Sequence, residues 1–295
     1  MDLRHTTFPI QDYDLAATLD SGQAFRWRER DGAWEGVIGR NWVSLRTGAG
    51  QLHAQAGVAM SDWRWLRDYL QLELDFAQVV STFPVDEPLG MALDECRGLR
   101  LLRQPYWECL ASFILSSTKQ IVQIRQIVSH LCERFGERIE TPPGSAAVYA
   151  FPTMERIAAC SEADLRACKM GFRAPYLRGT AQMLVAGEVN LERLQSLPCE
   201  AAREELLRLP GVGRKIADCV LLFAYGYQEA FPVDVWVRKA LQQLYFPRRR
   251  ASEQRLMRFS ATYFGPNAGY AQQYLFHYMR TKKFKVPGSG PKVAV

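Results

Sequence analysis

The chain has 295 residues, yet no two of its seven cysteines form a CxxC pair and no cysteine–histidine spacing suits a metal. Cys96, Cys109, Cys132, Cys160, Cys168, Cys199 and Cys219 are odd in number, and several fall in apolar helical contexts. A disulfide framework is therefore excluded, and reduced core thiols in an intracellular protein are expected. His5, His53, His130 and His277 are scattered and make no zinc pattern. No segment is apolar for long enough to span a membrane, and the N-terminus lacks an apolar secretory core. Internal repeats and extended low-complexity tracts are missing as well. What remains is a soluble chain whose 48% hydrophobic content is ordinary for a folded globular protein.

Charge is present but unevenly placed. Residues 205–295 carry 15 Lys/Arg against 5 Asp/Glu, a net +10, whereas residues 1–204 carry 22 against 26, a net −4. A basic C-terminal third is what a polyanionic partner requires, although a solvated surface would look the same.

Residues 207–239, LRLPGVGRKIADCVLLFAYGYQEAFPVDVWVRK, are the most informative stretch. Pro210 stops a helix, Gly211-Val212-Gly213 turns tightly, and a second helix is expected from about Arg214 to Tyr225. Bare N–H groups at that helix start favour a phosphate. Lys215 follows at once, with Cys219 on its face four residues later. Pro232-Val233-Asp234 then opens another helix, with Asp234 at an N-cap position. A nucleotide-binding P-loop is ruled out, because LPGVGRK lacks the upstream glycine.

This stretch resembles the hairpin and catalytic segment of the helix-hairpin-helix DNA glycosylases. The superfamily pattern is LPGVG, a lysine in the bifunctional members, and an aspartate after Pro-Val; Leu209–Gly213, Lys215 and Asp234 match it. A plain helical hairpin, with a surface Lys215 paired to Asp218 and an ordinary cap at Asp234, would leave the same short motif. The joint placement of lysine and aspartate favours the glycosylase.

Toward the N-terminus, residues 1–57 read as strands. Val43, Leu45 and Thr47 alternate with polar residues, Leu52, Ala54 and Ala56 do so again, and Asp31-Gly32 signals a hairpin. Residues 21–27, SGQAFRW, read as an aromatic strand entered through a glycine turn. They also resemble the SGQ-aromatic-RW signature of 8-oxoguanine DNA glycosylases, a match nearly independent of the hairpin. From Ser61 onward the periodicity is helical, with helices expected near 63–70, 86–98, 105–117, 119–135, 175–186, 191–196, 199–208, 252–264 and 268–280. The expected class is α+β: an antiparallel β-rich domain over residues 1–97, then a helical glycosylase bundle over 98–281. The helix-hairpin-helix falls at about 199–225, and a basic flexible tail spans 282–295.

The chemistry follows from residue types. Breaking an N-glycosidic bond leaves positive charge on the sugar, which the Asp234 carboxylate would stabilise. A neutral Lys215 amine attacking C1′ would form a Schiff base and open the way to β-elimination. The resemblance implies that Gln272 bonds the Watson–Crick edge of a flipped base, Phe276 stacks on one ring face and Cys219 packs on the other. The Gly22 carbonyl would accept the N7–H that 8-oxoguanine has and guanine lacks. Taken singly, each of these residues is more often core or solvated surface; their joint spacing raises them. Gly211, Val212 and Gly213 would bind the DNA backbone, and Phe172-Arg173 matches an aromatic–Arg wedge pair.

Two departures stand out. Thr118-Lys119-Gln120 replaces the asparagine triplet of animal and fungal members, and Gln123 stands roughly where an arginine reads the opposite cytosine. Opposite-base preference should therefore be weaker than in animal enzymes, which points to a bacterial or archaeal member. No cysteine follows Cys219, so the four-cysteine iron–sulfur cluster of endonuclease-type relatives is excluded; no cofactor is expected beyond a monovalent cation at the hairpin. The expected partner is duplex DNA containing oxidised guanine, bound by a monomer in the cytoplasm or nucleoid of a prokaryote or the nucleus of a eukaryote. The competing readings are an alkylpurine glycosylase of the same fold, against which Lys215 and SGQAFRW argue, and a non-catalytic DNA-binding protein.

Overall fold

Side chains buried at every second position over residues 43–45 and 52–56, with three two-residue turns, build the first layer. The computed structural model describes residues 4–117, 119–248 and 250–281. Strands β1 (His5–Pro9), β2 (Arg28–Arg30), β3 (Ala33–Ile38), β4 (Asn41–Gly48) and β5 (Gln51–Ala56) form one sheet in the order β1-β5-β4-β3-β2, antiparallel throughout. Asp31 and Gly32, and again Ala49 and Gly50, adopt the positive φ that two-residue hairpins demand. Leu45 pairs with Ala54, and both are buried with Leu52.

Two parts of the N-terminal region depart from the strand reading. Residues 15–20 form a helix, α1 (Leu15–Asp20), whose cap Asp14 accepts the Ala17 N–H at 2.8 Å. Ser21–Trp27 is an irregular loop instead of a strand, because side chains satisfy its backbone. The buried Gln23 amide donates to Thr18 O and Arg100 O (2.9 and 2.8 Å) and accepts from Leu102 N–H (2.8 Å), while Gln104 donates to Gln23 O. The motif's tryptophan, Trp27, is 1% exposed and lies on Gly36, where a Cβ would come within 2.5 Å of the indole.

Fourteen further helices follow among the described residues: α2 (Arg64–Leu70), α3 (Phe76–Ser81), α4 (Glu87–Glu95), α5 (Tyr106–Leu115), α6 (Ile121–Phe135), α7 (Met154–Ala159), α8 (Glu162–Leu165), α9 (Ala174–Val185), α10 (Leu191–Leu194), α11 (Cys199–Leu207), α12 (Arg214–Val220), α13 (Val235–Ala240), α14 (Glu253–Tyr263) and α15 (Ala268–Thr281). Short strands β6 (Arg138–Ile139) and β7 (Val148–Tyr149) pair after α6. Asp75, Asp86, Thr153, Ser161, Asn190 and Ser252 each cap a helix by accepting the N–H three residues ahead. Each such cap is worth ~1 kcal/mol. A π-helical turn, Leu221–Tyr225, extends α12 to the expected end.

Apolar faces meet in two main cores. One lies under the sheet and joins Leu19, Trp27, Leu45, Leu52, Leu66 and Leu70. The other fills the helical body, and Val79 of α3 and Leu89 and Ala92 of α4 belong to it. The boundary expected at residue 97 therefore does not coincide with a break in packing, since α3 and α4 bury their apolar faces among later helices. Helix α12 packs on α5, and α13 packs on α15. Those contacts assemble the site. The tail expected over 282–295 lies outside the described residues.

Candidate active site at the helical hairpin

The hairpin forms as its residues demand. Leu209 is 2% exposed, and Val212 anchors the turn from inside through its N–H to Leu209 O (3.1 Å). Gly211 has φ +76°, and a Cβ there would come within 2.7 Å of the Tyr176 side chain, so no other residue fits without displacement. Gly213, extended and exposed, caps α12. In the first turn of α12 the Ile216 N–H donates to Gly213 O at 2.9 Å, whereas those of Arg214 and Lys215 have no carbonyl one turn back in the helix to bond. A buried ion pair clasps the two helices: Arg203 Nε of α11 donates to Asp218 Oδ1 of α12 at 2.6 Å, and Arg214 lies 3.9 Å from Oδ2.

Asp218 is thus turned to Arg203 and Arg214, and the surface pairing with Lys215 does not form. The Lys215 amine instead donates to Ser116 Oγ at 3.1 Å and lies 5.5 Å from the centre of the Phe113 ring. Ser116 in turn donates its hydroxyl proton to Phe113 O (2.7 Å). The amine is therefore half-buried at the C-terminal end of α5.

Asp234 begins α13, and its Oδ1 accepts the Val237 N–H at 2.8 Å. Burial raises its pKa; the Val237 N–H and the Lys215 charge oppose that rise without cancelling it. Cys219 feels both neighbours. Burial pushes its thiol up to about 12, with Lys215 lowering and Asp234 raising it, so it stays a neutral, polarizable surface at physiological pH. Lys215, Cys219 and Asp234 thus share one environment.

The loop and α15 supply the other wall. Gly22 has φ +79°, and a Cβ there would meet Ile121 Cδ1 at 2.8 Å and Phe276 Cε1 at 3.4 Å. Its backbone thus lies directly beside the Phe276 ring. Gln273 Nε2 donates to Ser21 O (3.0 Å) and ties this loop to α15. One turn before Phe276, Gln272 is 4% exposed, and its Oε1 has no hydrogen-bond partner among the described residues. A buried acceptor left bare costs ~1–3 kcal/mol and is what a ligand's donor would satisfy. Ile121 stands five residues beyond Ser116, so one short connection touches both the Lys215 side and the Gly22–Phe276 side.

The residues expected at the duplex fall differently. Phe172 is 54% exposed in a tight turn, as a wedge requires. Arg173 is not at the surface: it is 2% exposed, its guanidinium bonds to Met170 O and Ser117 O, and it lies 4.2 Å from the Phe172 ring. Its place corrects the wedge-pair reading, since Arg173 braces the turn and the Ser117 backbone. Gln123 is exposed, but its Oε1 accepts the Gln120 N–H (3.1 Å) and caps α6. Lys119 is half-buried, with its N–H on Ser116 O. Thr118 lies outside the described residues.

Ser116, Phe113 and Ile121 were not singled out from the sequence. The Lys215–Ser116 contact joins positions 99 residues apart, and no periodicity reaches that far. Val235 and Trp236 are 78% and 40% exposed beside Asp234, and two bare apolar residues after a cap are a signal the sequence also carries. Among the described residues, no three His, Cys, Asp or Glu side chains gather as a metal-holding group.

Residues 6–110 match the model of the 8-oxoguanine DNA glycosylase N-terminal domain, and residues 111–266 that of the HhH-GPD superfamily base excision DNA repair proteins. A probable N-glycosylase/DNA lyase from Methanothermobacter thermautotrophicus is 33% identical, over 92% of this chain and 95% of its own. An N-glycosylase/DNA lyase from Saccharomyces cerevisiae is 30% identical, over 78% and 68%. The crystal structure of Clostridium acetobutylicum 8-oxoguanine glycosylase/lyase, with duplex DNA containing cytosine opposite 8-oxoG, superposes with a TM-score of 0.86 at 31% identity, over 95% of this chain and 99% of that one. The chain belongs to the 8-oxoguanine DNA glycosylase family of HhH-GPD base excision DNA repair proteins.

Proposed function

We propose that this chain excises 8-oxoguanine from duplex DNA and cleaves the resulting abasic site, with Lys215 as nucleophile and Asp234 as the charge-stabilising carboxylate. The observation that carries the assignment is the Lys215 amine held half-buried on Ser116 Oγ, one turn along α12 from the buried Cys219, with Asp234 capping α13 through the Val237 N–H. The named relatives, N-glycosylase/DNA lyases and an 8-oxoguanine glycosylase/lyase, support the substrate and the bifunctional reaction.

The steps follow from the groups in place. A flipped nucleotide enters between Phe276 and Cys219, where stacking repays part of the unstacking cost. The bare Gln272 Oε1 accepts from the base edge, and the Gly22 carbonyl accepts the N7–H of the oxidised base. Lys215, deprotonated, attacks C1′ as the N-glycosidic bond breaks; the base leaves with the bonding pair and takes up a proton. Asp234 stabilises the positive charge that builds on the sugar. Ring opening gives the Schiff base, loss of the C2′ proton expels the 3′ phosphate, and water later releases Lys215.

The hairpin turn Gly211–Gly213 and the exposed Phe172 would hold the duplex. A monovalent cation at the hairpin would be held by main-chain carbonyls such as those of Leu209 and Pro210. Each of these accepts one hydrogen bond here and keeps a second lone pair. It would add positive charge beside a phosphate. One flipped base needs one active site, so a monomer working wherever the cell keeps its DNA suffices.

Borohydride trapping tests the assignment. Wild-type protein should form a reduced cross-link to a duplex bearing one 8-oxoguanine, absent with undamaged and alkylated-base duplexes and absent in Lys215→Ala. An alkali-labile abasic site without a cross-link would mean a monofunctional glycosylase. Neither signal on any damaged duplex would leave a DNA-binding protein without catalysis.

A further inference from the structure

A second, separate cleft of about 970 Å3 opens between the loop after β1 (residues 9–13), α3 and the end of α4. Neither Lys215, Asp234 nor the base-recognition residues line it. Its volume falls within the roughly 300–1,000 Å3 of small-ligand sites. Leu74, Val80 and Leu93 give it apolar walls.

Arg100 lines the cleft and is 4% exposed. Its guanidinium lies 4.1 Å from the centre of the Phe76 ring and 5.4 Å from that of Tyr13. Its side chain makes one long hydrogen bond, Nη1 to Leu99 O at 3.5 Å, and among the described residues no carboxylate pairs with it. Of the other arginines buried among the described residues, Arg203 faces the Asp218 carboxylate and Arg173 donates to the Met170 and Ser117 carbonyls. A guanidinium does not deprotonate, so Arg100 is a buried cation whose ring contacts offset only part of its desolvation. Lying over the Phe76 ring with only that long bond made, it has N–H groups left for an acceptor, and a guanidinium takes a carboxylate bidentately.

The rest of the lining restricts the ligand. Asp12, Asp75 and Asp94 stand there against Arg97 and Arg100, and Arg97 is already paired with Asp12 at 3.0 Å. Three carboxylates against two guanidiniums repel a polyanion. A ligand with one negative charge and an apolar body meets Arg100 at one end and Leu74, Val80 and Leu93 along its length. We propose that this cleft is a binding site for a single carboxylate carried on an apolar group, supplied by the C-terminus of a peptide or by a free small carboxylic acid.

Calorimetric titration of the full chain tests this with N-acetyl-leucine, its uncharged amide, octanoate and inorganic phosphate. One-to-one binding of the carboxylates is expected, with the amide weaker by about tenfold or more, the worth of a charge-assisted bond. N-acetyl-leucine binding tighter than octanoate identifies a peptide C-terminus, and the reverse order a free acid. Arg100→Met should abolish binding. Ala77→Trp, which fills the cleft from an exposed position, should abolish it too while keeping a wild-type circular dichroism spectrum and cooperative melt. The proposal is overturned if amide and carboxylate bind alike, if phosphate binds tighter, if no carboxylate saturates, or if binding survives Ala77→Trp.

Discussion

The Lys215 amine donates to Ser116 Oγ at 3.1 Å, and the Ser116 hydroxyl donates onward to Phe113 O at 2.7 Å. A flexible four-carbon chain is thereby held at one point by a hydroxyl whose own orientation is set by a helix end. Ser116→Ala removes that acceptor and leaves Lys215 free to sample other rotamers. Imine trapping under single-turnover conditions should slow by about tenfold, the scale of one lost charge-assisted hydrogen bond. Duplex affinity should be unchanged, and Ser116→Thr should restore most of the rate. An equal loss in binding would mean that the serine shapes the DNA surface instead.

Asp234 offers a stability trade-off with a defined sign. Burial holds its pKa above the ordinary aspartate value, so the folded state binds the proton more tightly than the unfolded chain. Its contribution is favourable below the unfolded value, near ~3.9, and is lost as pH rises through the raised folded value. At pH 7 the charged carboxylate therefore costs stability. Asp234→Asn keeps a side-chain oxygen to cap α13 but carries no charge. Its melting temperature at pH 7 should exceed wild type by ~2–4 °C, and the gain should vanish in acid, while excision is lost. A lower melting temperature at pH 7 would show that the attraction to Lys215 outweighs burial.

Much of this arrangement was legible before any coordinates. The LPGVG turn, Lys215 and Asp234 could be read because backbone geometry and capping are local: Gly211 must turn at positive φ, and Asp234 must cap the helix that follows it. The sheet was readable for the same reason, since Val43 and Leu45, and then Leu52, Ala54 and Ala56, are buried at every second position. Failures came where distant groups decide. Ser21–Trp27 resembles a strand in pattern, but Gln23 replaces the strand ladder with bonds to residues 77 and 79 positions away. Arg173 reads as a surface cation, yet the carbonyls of Met170 and Ser117 take it into the core.

Gln272 makes a different trade. Its Oε1 is buried without a partner among the described residues, a cost carried by the free protein. Gln272→Met fills the same volume and removes the bare acceptor. The melting temperature should hold or rise slightly, while kcat/KM for 8-oxoguanine excision should fall by about 10–100-fold, the worth of a lost buried hydrogen bond. Loss of stability without loss of excision would place Gln272 outside the base pocket.

Opposite-base preference should be shallow. Gln123, which stands roughly where an arginine would read cytosine, spends its side-chain oxygen on capping α6, and Arg173 is held by carbonyls. Neither presents a free guanidinium fork to a base edge, and one good bidentate contact is worth ~1–3 kcal/mol of discrimination. Excision rates of 8-oxoguanine opposite C, A, G and T should therefore lie within about tenfold of one another. A steep preference for C would overturn this and point to another reader on the same surface.

The ion pair that clasps the hairpin should be the most sensitive electrostatic contact in the chain. Arg203 and Asp218 are both withdrawn from water and meet at 2.6 Å, between α11 and α12. Arg203→Met leaves Asp218 buried with only the distant, exposed Arg214 for compensation. Breaking a buried pair from one side costs ~3–5 kcal/mol, which corresponds to a drop of ~6–20 °C in melting temperature for a chain of this size. The double variant Arg203→Met/Asp218→Leu leaves no stranded charge and should recover much of that loss. DNA affinity gives the second measurement, because the same pair joins the two helices that flank the Gly211–Gly213 turn, the proposed phosphate contact. A double variant that is stable yet binds duplex about tenfold more weakly would separate the pair's role in shaping the turn from its role in holding the fold. If single and double variants melt together, the cost lies in packing and not in the stranded carboxylate.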